Sequence, residues 1–275
     1  MKVKEITINA NKALEKIGLE KSEGEWLVAL VLGIKRSEVY GEKQVTEGEV
    51  KKVNRALKER LKGKPLAYIV KNQEFYGRTF TVNRHVLVPR PETEELVAFA
   101  KKYVNENSHV LDIGTGSGAI AITINKETGA FVTAVDISRR ALKIAQKNAK
   151  NNHANIEFIK SNLFSALKNR KFDLIISNPP YISKLEYKNL DKSVKNFEPK
   201  LALYGGKDGL SFYREIAKLA PKYLNENGYL LLEIGYMQAK SVIDILKENF
   251  EEIELKKDLE GNDRMIKAKK RSKDV

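Results

Sequence analysis

The chain of 275 residues contains no cysteine, which excludes disulfides and thiolate metal sites. Its three histidines, His85, His109 and His153, are too scattered to suggest a zinc site. Long hydrophobic runs are missing too. The longest apolar stretches, such as Trp26 to Leu32, are far too short to cross a bilayer. Met1 to Ala10 lacks the apolar segment and cleavage site of a signal peptide. A soluble cytoplasmic protein with no membrane partner is expected. Hydrophobic residues make up 42% of the chain, enough for a real core. The length leaves room for one large domain or two ordinary ones.

Lysine and arginine total 50 against 36 acids, a net charge of +14. A basic surface can serve RNA, DNA or ribosome-associated partners. A lysine-rich surface can equally serve solubility. The lysines are spread rather than clustered, so both readings stand. The densest basic run, Lys267 to Lys273, reads as a solvated terminus.

The first seventy residues read as helical. Trp26, Leu27, Leu30 and Val31 form an apolar stripe after Ser22 and Glu25, an N-cap and N3 pair. Thr46 with Glu49 gives a second capping box, opening a helix through Val53, Leu57 and Leu61 that stops by Gly63 and Pro65. A small helical bundle is expected over residues 1–70. Glu74 to Val88 is rich in aromatic and β-branched residues, with Asn83 and Arg84 as its turn. That predicts a β-hairpin linker within residues 71–91. Pro89-Arg90-Pro91 stops it, and a helix follows through Leu96, Val97, Ala100 and Val104.

From Val110 strands and helices alternate, which assigns residues 92–275 to one domain. Strands are expected at Val110 to Ile113, Phe131 to Val135, Ile156 to Ile159, Phe172 to Ser177 and Tyr229 to Ile234. Helices follow from Ala119, through Ala141, Leu142, Ala145 and Ala149, around Phe212 to Tyr223, and over Val242 to Phe250. Ile253 to Leu255 with Arg264 to Ala268 would close the sheet as an antiparallel pair. The fold class is α/β, a seven-stranded, mostly parallel, doubly wound sheet.

Val110-Leu111-Asp112-Ile113-Gly114-Thr115-Gly116-Ser117-Gly118 is a strand running into a glycine loop and then a helix. Such loops let a ligand approach bare backbone amides at a helix N-terminus. Gly114, Gly116 and Ala119 also satisfy a looser dinucleotide fingerprint. The acid two residues before the first glycine, and the glycine at 118, tip the reading. The segment resembles the first motif of Rossmann-like methyltransferases. That resemblance implies a loop backing the methionine part of S-adenosylmethionine, with the acid fixing the loop and receiving the cofactor's amino group. Asp136, at the end of the next strand, can take both ribose hydroxyls, or can merely N-cap the helix beginning near Ser138. After the third strand, Asn162 can hydrogen-bond an adenine edge and Leu163 can pack on the ring, or Leu163 can face the core.

Asp173 to Tyr181 ends in Asn178-Pro179-Pro180-Tyr181. Two successive prolines donate no backbone hydrogen bonds and hold φ fixed, so their carbonyls stay free. The Asn178 side-chain oxygen and the Pro179 carbonyl can accept both hydrogens of a planar –NH2 group. Tyr181 offers a face for stacking. This suits a nitrogen whose lone pair is delocalised. Two acceptors orient it and stabilise the positive charge that develops as a methyl arrives. No strong general base is needed, which agrees with the absence of a nearby histidine or cysteine. A rigid turn at a strand end is the bland alternative. Adenine N6, cytosine N4 and a glutamine amide all remain open as targets, and the four residues do not separate them.

Further segments carry a wider resemblance. They are Pro65-Leu66-Ala67-Tyr68-Ile69, Phe75-Tyr76-Gly77, Leu87-Val88-Pro89-Arg90-Pro91-Glu92-Thr93-Glu94, Glu198-Pro199-Lys200-Leu201-Ala202-Leu203, Gly206-Lys207-Asp208-Gly209-Leu210 with Phe212-Tyr213, and Gly261-Asn262-Asp263-Arg264. Over about residues 60 to 268 the chain resembles the release-factor glutamine methyltransferase family, HemK or PrmC. The resemblance implies N5-methylation of the glutamine in the Gly-Gly-Gln motif of class I peptide release factors. It implies S-adenosylmethionine contacts at Gly114, Thr115, Gly116, Ser117, Gly118, Asp136, Asn162, Leu163 and Asn178. It implies a glutamine clamp of Asn178, Pro179, Pro180 and Tyr181, and an N-terminal bundle that holds the release factor. Asn162 and Leu163 depart from the family's usual acid and aromatic. Arg90 and Glu92 line a substrate entrance or form a salt-bridged linker. A monomer with no metal and no required nucleic acid is expected. The rival enzymes are glutamine methylation of a ribosomal protein and N6-adenine methylation of nucleic acid, which would need a charge-clustered region to hold a flipped base. A noncatalytic nucleic-acid-binding or ribosome-associated module would need neither loop nor clamp.

Overall fold

The computed structural model describes residues 1–272. The chain divides into two compact units. One comprises residues 1–72 with Lys192–Phe197, and the other runs over residues 73–191 and from Glu198 onward.

The first unit is a helical bundle of α1 (Val3–Glu15), α2 (Lys21–Leu32), α3 (Glu47–Leu61) and α4 (Leu66–Val70). Val3, Ile6, Ala10 and Leu14 recur on one face of α1 and pack with Leu27, Val28, Val53 and Ala56. Helix α3 starts at the expected capping box, with Thr46 accepting from the Glu49 amide and the Glu49 carboxylate accepting from the Thr46 amide. Helix α2 starts earlier than expected. Its N-cap is Glu20, and the Ser22 hydroxyl donates to Glu20 while Glu25 instead receives Arg36 and Tyr40. The buried face of α2 is Gly24, Leu27 and Val28, while Trp26 and Leu30 are exposed at 43% and 45%. The cause is a close helix crossing. A Cβ on Gly24 would lie 2.7 Å from the Asn11 backbone nitrogen, so this turn must face α1. A continuous apolar run has no phase of its own, and Gly24 sets it.

The second unit opens with a hairpin of β1 (Asn72–Phe75) and β2 (Arg78–Thr81). Its turn is Tyr76-Gly77, at φ 49° and 70°, rather than the expected Asn83-Arg84. Two positive φ values are what a two-residue hairpin of matching twist demands. Asn83 instead starts a separate turn, its side chain accepting from the His85 amide.

Then come α5 (Pro91–Ala100), β3 (His109–Ile113), α6 (Ala119–Thr128), β4 (Phe131–Asp136), α7 (Arg139–Asn151), β5 (Ile156–Lys160) and β6 (Phe172–Ser177). Three short helices follow, α8 (Lys184–Asn189), α9 (Lys192–Lys195) and α10 (Lys200–Leu203), of which α9 belongs to the first unit. The chain finishes with α11 (Ser211–Leu219), β7 (Leu224–Glu233), α12 (Ala239–Leu246), β8 (Phe250–Lys257) and β9 (Asp263–Lys270). Strand β7 begins at Leu224, ahead of the expected Tyr229, because Leu224 pairs with Phe172 across an irregularity in register. Phe250 opens β8 rather than ending a helix.

The seven strands lie in the order β5-β4-β3-β6-β7-β9-β8, with β9 antiparallel to both its neighbours and the rest parallel. This is the expected Rossmann-like α/β sheet. The pleat sends Leu111, Ile113, Ile175, Leu230 and Leu232 to one face, beneath α11 and α12. It sends Val110, Leu174, Ile176 and Leu231 to the other, beneath α5 and α6. The basic run from Lys267 is not a free tail. Lys267, Lys269 and Lys270 lie in β9 and pair with Glu254, Glu252 and Glu226, and Lys273 lies outside the described residues. Among the described residues no helix is long and apolar enough to cross a membrane.

One buried amide ties the hairpin to the glycine loop. Asn148 of α7 accepts from the Thr81 amide at 2.8 Å and donates to the carbonyls of Thr81 and Ser117 at 3.0 and 2.8 Å. Asn148→Ala strands those backbone groups in a dry interior, at a cost of about 2–3 kcal/mol. A thermal melt should fall by roughly 5–10 °C. An unchanged midpoint would show that these bonds carry no net stability.

Candidate active site

From the middle of the sheet β3, β4 and β5 succeed one another toward one edge, and β6 and β7 toward the other. Ligands bind at such a switch point, outside the carboxyl ends of the strands. Here Ile113 is in register with Ser177, and the Ser177 hydroxyl donates to the Ile113 carbonyl at 2.7 Å. Gly114 and Asn178 therefore leave the sheet side by side. Both line one cavity of about 270 Å³, close to the lower end of the roughly 300–1,000 Å³ usual for small-molecule sites.

The glycines of the loop divide by role. Gly114 and Gly116 line the cavity at φ 75° and 56°. A Cβ on Gly114 would meet nothing within 4 Å and would fill the space a ligand needs. Gly118 faces the other way. Its Cβ would lie 2.9 Å from Ile122 Cδ1 and 3.2 Å from Ala145 Cβ, so it serves the packing of α6 on α7. Thr115 and Ser117 are buried and do not line the cavity. Thr115 donates its hydroxyl to Asp112 at 2.6 Å, and the Ser117 carbonyl receives Asn148.

Asp112 is fully buried and does not reach the cavity. The loop-fixing half of its expected role is present, through Thr115. Burial pushes its pKa up to about 7.

Asp136 lines the cavity with its carboxylate already placed by two backbone amides, Gly116 at 3.0 Å and Ser138 at 2.8 Å. Burial raises its pKa, and the two amides oppose that rise. The helix cap falls to Ser138, which accepts from the Ala141 amide, leaving Asp136 free of that task. Asn162 and Leu163 line the wall beyond. Leu163 stands at φ 48°, an uncommon conformation for a branched residue, held by the Ser161 hydroxyl donating to its carbonyl at 2.7 Å.

Asn178, Pro179 and Pro180 form the opposite wall. Their loop is clasped from outside by the segment after α10. A Cβ on Gly205 would lie 2.6 Å from the Pro180 carbonyl, and one on Gly209 2.3 Å from the Tyr181 carbonyl. Tyr181 does not line the cavity. Its ring packs against the core beneath α11, and burial pushes its pKa up to about 12. The double proline turns the chain so that the next side chain points inward, where Gly235 leaves room.

Several lining residues were not among the expected site residues, although Leu87 and Phe212 lie in segments that carry the family resemblance. His85, Val86 and Leu87 come from the turn after the hairpin, Ile137 and Arg140 from the start of α7, and Phe212 from α11. The expected absence of a neighbouring histidine does not hold. His85 lies near Arg140, and burial together with that charge lowers its pKa. Pro199, Leu201 and Ala202 also line the cavity, and Arg90 pairs with the buried Glu198 just before them. Arg90 is thus the salt-bridged linker of the two readings weighed.

A family model described as the methyltransferase small domain matches residues 93–197, and one described as the PrmC N-terminal domain matches residues 5–70. A release factor glutamine methyltransferase of Fusobacterium nucleatum is 48% identical over 235 residues, covering 83% of this chain and 66% of that protein. Another, of Neisseria gonorrhoeae, is 42% identical over 257 residues, covering 91% of this chain and 94% of that protein. A solved methyltransferase of Pyrococcus furiosus shares the fold at a TM-score of 0.57 and 21% identity, covering 78% of this chain and 98% of that chain.

Asp112 makes a testable pH dependence. Its folded pKa, about 7, lies above the ordinary 3.8. As pH rises past the lower value the unfolded chain ionises while the folded one holds its proton, so this group's contribution to stability falls until about pH 7 and then levels. Asp112→Asn keeps an acceptor for Thr115 and removes the titration. The difference in melting temperature, variant minus wild type, should grow from pH 4 to pH 7 and then flatten. A pH-independent difference would refute the assignment.

Proposed function

This chain belongs to the release factor glutamine methyltransferase family, and we propose that it methylates N5 of the glutamine in the Gly-Gly-Gln motif of class I peptide chain release factors, using S-adenosylmethionine. The observation that carries the reading is the common cavity of the glycine loop and Asn178-Pro179-Pro180. One wall suits a nucleoside-bearing methyl donor and the other a planar amide.

When bound, S-adenosylmethionine supplies an electrophilic methyl carried on a sulfonium. Gly114 and Gly116 would admit its methionine part against bare backbone. Asp136 would accept from the ribose hydroxyls, and Asn162 and Leu163 would meet the adenine. The acceptor's –NH2 donates to the Asn178 oxygen and the Pro179 carbonyl. These two acceptors hold the nitrogen in line with the methyl and stabilise its growing positive charge. The nitrogen would take the methyl as the methyl's bond to the sulfonium sulfur breaks, leaving a neutral thioether, and would release one proton, which its new acidity makes easy. Residues 1–70 would hold the release factor, and their match to the PrmC N-terminal domain supports this. A monomer suffices for every step.

Labelled S-adenosylmethionine offered with a release factor, a ribosomal protein or nucleic acid tests the substrate. Label should enter the release factor alone. Transfer to one of the others instead would overturn the reading. Asn178→Ala should lower turnover about 100-fold or more while cofactor affinity changes less than about threefold. Near-normal turnover would rule out the clamp.

A further inference from the structure

An asparagine side chain has a weakness as an acceptor. Its oxygen and its –NH2 have nearly the same shape, and a half-turn exchanges them. Turned the wrong way, Asn178 would point donors at a donor. Packing cannot choose between the two orientations, so hydrogen-bond partners must.

We propose that Thr93 and Glu233 are positioning residues that fix the Asn178 amide with its oxygen toward the acceptor nitrogen. This rests on the reading of Asn178 as the clamp. Neither residue lines the cavity, and both are buried, at 5% and 2% exposure. Thr93 lies in the first turn of α5, and Glu233 ends β7 beside β6. The Thr93 hydroxyl donates to Glu233 Oε2 at 2.7 Å, and Asn178 Nδ2 donates to Thr93 Oγ1 at 3.1 Å.

The order of donors follows from proton counting. An ionised carboxylate only accepts. It takes the single hydroxyl proton of Thr93, so Thr93 has only lone pairs left for Asn178. The amide must answer with its –NH2, and its oxygen is turned away from Thr93. The Asn178 amide helps to hold the Glu233 carboxyl in its charged form, which suits an –NH2 turned toward that side. A buried carboxylate is costly where packing alone is needed.

The groups that face Glu233 are Arg264 of β9, Glu92 of α5, Tyr181, and Tyr213 of α11, whose hydroxyl donates to the Glu233 backbone carbonyl at 3.0 Å. Burial outweighs the Arg264 charge and pushes the Glu233 pKa up to about 7. Once protonated, Glu233 can donate to Thr93 and Thr93 to the Asn178 oxygen. The relay then reverses and the clamp presents the wrong atoms. Turnover should therefore rise with pH through about 7.

The test uses the full chain at saturating cofactor, with Thr93→Val, Thr93→Ser and Glu233→Gln. Wild type is assayed first, and the variants are then read on whichever acceptor it methylates. Another acceptor in place of the release factor sinks the substrate claim and leaves this test intact. No acceptor at all overturns both. Thr93→Val should lower kcat about tenfold with KM for the protein substrate and Kd for S-adenosylmethionine within about twofold. Thr93→Ser, which restores the hydroxyl, should recover most of the loss. In Glu233→Gln the acidic limb of kcat should disappear. A folded Thr93→Val with wild-type kcat, or a Glu233→Gln variant keeping the acidic limb, overturns the proposal. If Thr93→Val does not fold, the limb decides alone.

Discussion

The pairing of β3 with β6 is the constraint on which the site depends. Ile113 sits opposite Ser177, and the Ser177 hydroxyl on the Ile113 carbonyl locks the last rung. Strands that follow β3 run to one side and strands that follow β6 to the other. Their connections must diverge, and the gap between them is the cavity. Gly114 and Asn178 are 64 residues apart along the chain by the same count that separates Ile113 from Ser177, yet they become the two walls of one space. Everything else props those walls. Asn148 holds the glycine loop from behind, and Gly205 and Gly209 clasp the prolines from outside.

Both walls use the same device. A buried carboxylate accepts a threonine hydroxyl, Asp112 from Thr115 and Glu233 from Thr93. Burial pushes each pKa to about 7. A group that only accepts imposes a direction on its partner, and the partner passes that direction on. At Asp112 the product is a fixed loop. At Glu233 it is an amide whose oxygen has one place to point. The cost of burying a charge is spent on orientation rather than on stability.

Periodic features were legible where local physics is strong. The Thr46–Glu49 box opens α3, and Phe172 to Ser177 forms a strand over those residues, because capping and β-branched runs act within a few residues. The misses share one cause. Trp26 and Leu30 belong to an apolar run whose phase was set by Gly24 meeting Asn11. The hairpin turned at Tyr76-Gly77 because pairing with β2 chose the register. Phe250 entered a strand because β9 was there to pair with it. In each case the deciding partner lies elsewhere in the chain.

The candidate site divides the same way. By itself, the sequence determined the chemistry available: bare backbone at Gly114 and Gly116, a carboxylate at Asp136, and carbonyls freed by Pro179 and Pro180. Residue type fixes those properties wherever the chain goes. Only the tertiary structure decided which of them meet. It turned Gly118 toward Ala145, buried Thr115 on Asp112, packed Tyr181 against the core and brought His85 and Phe212 to the cavity. It also placed Thr93 and Glu233, 140 residues apart, behind Asn178. A motif specifies donors and acceptors, but the direction in which a side chain points depends on neighbours that only the folded sheet assembles.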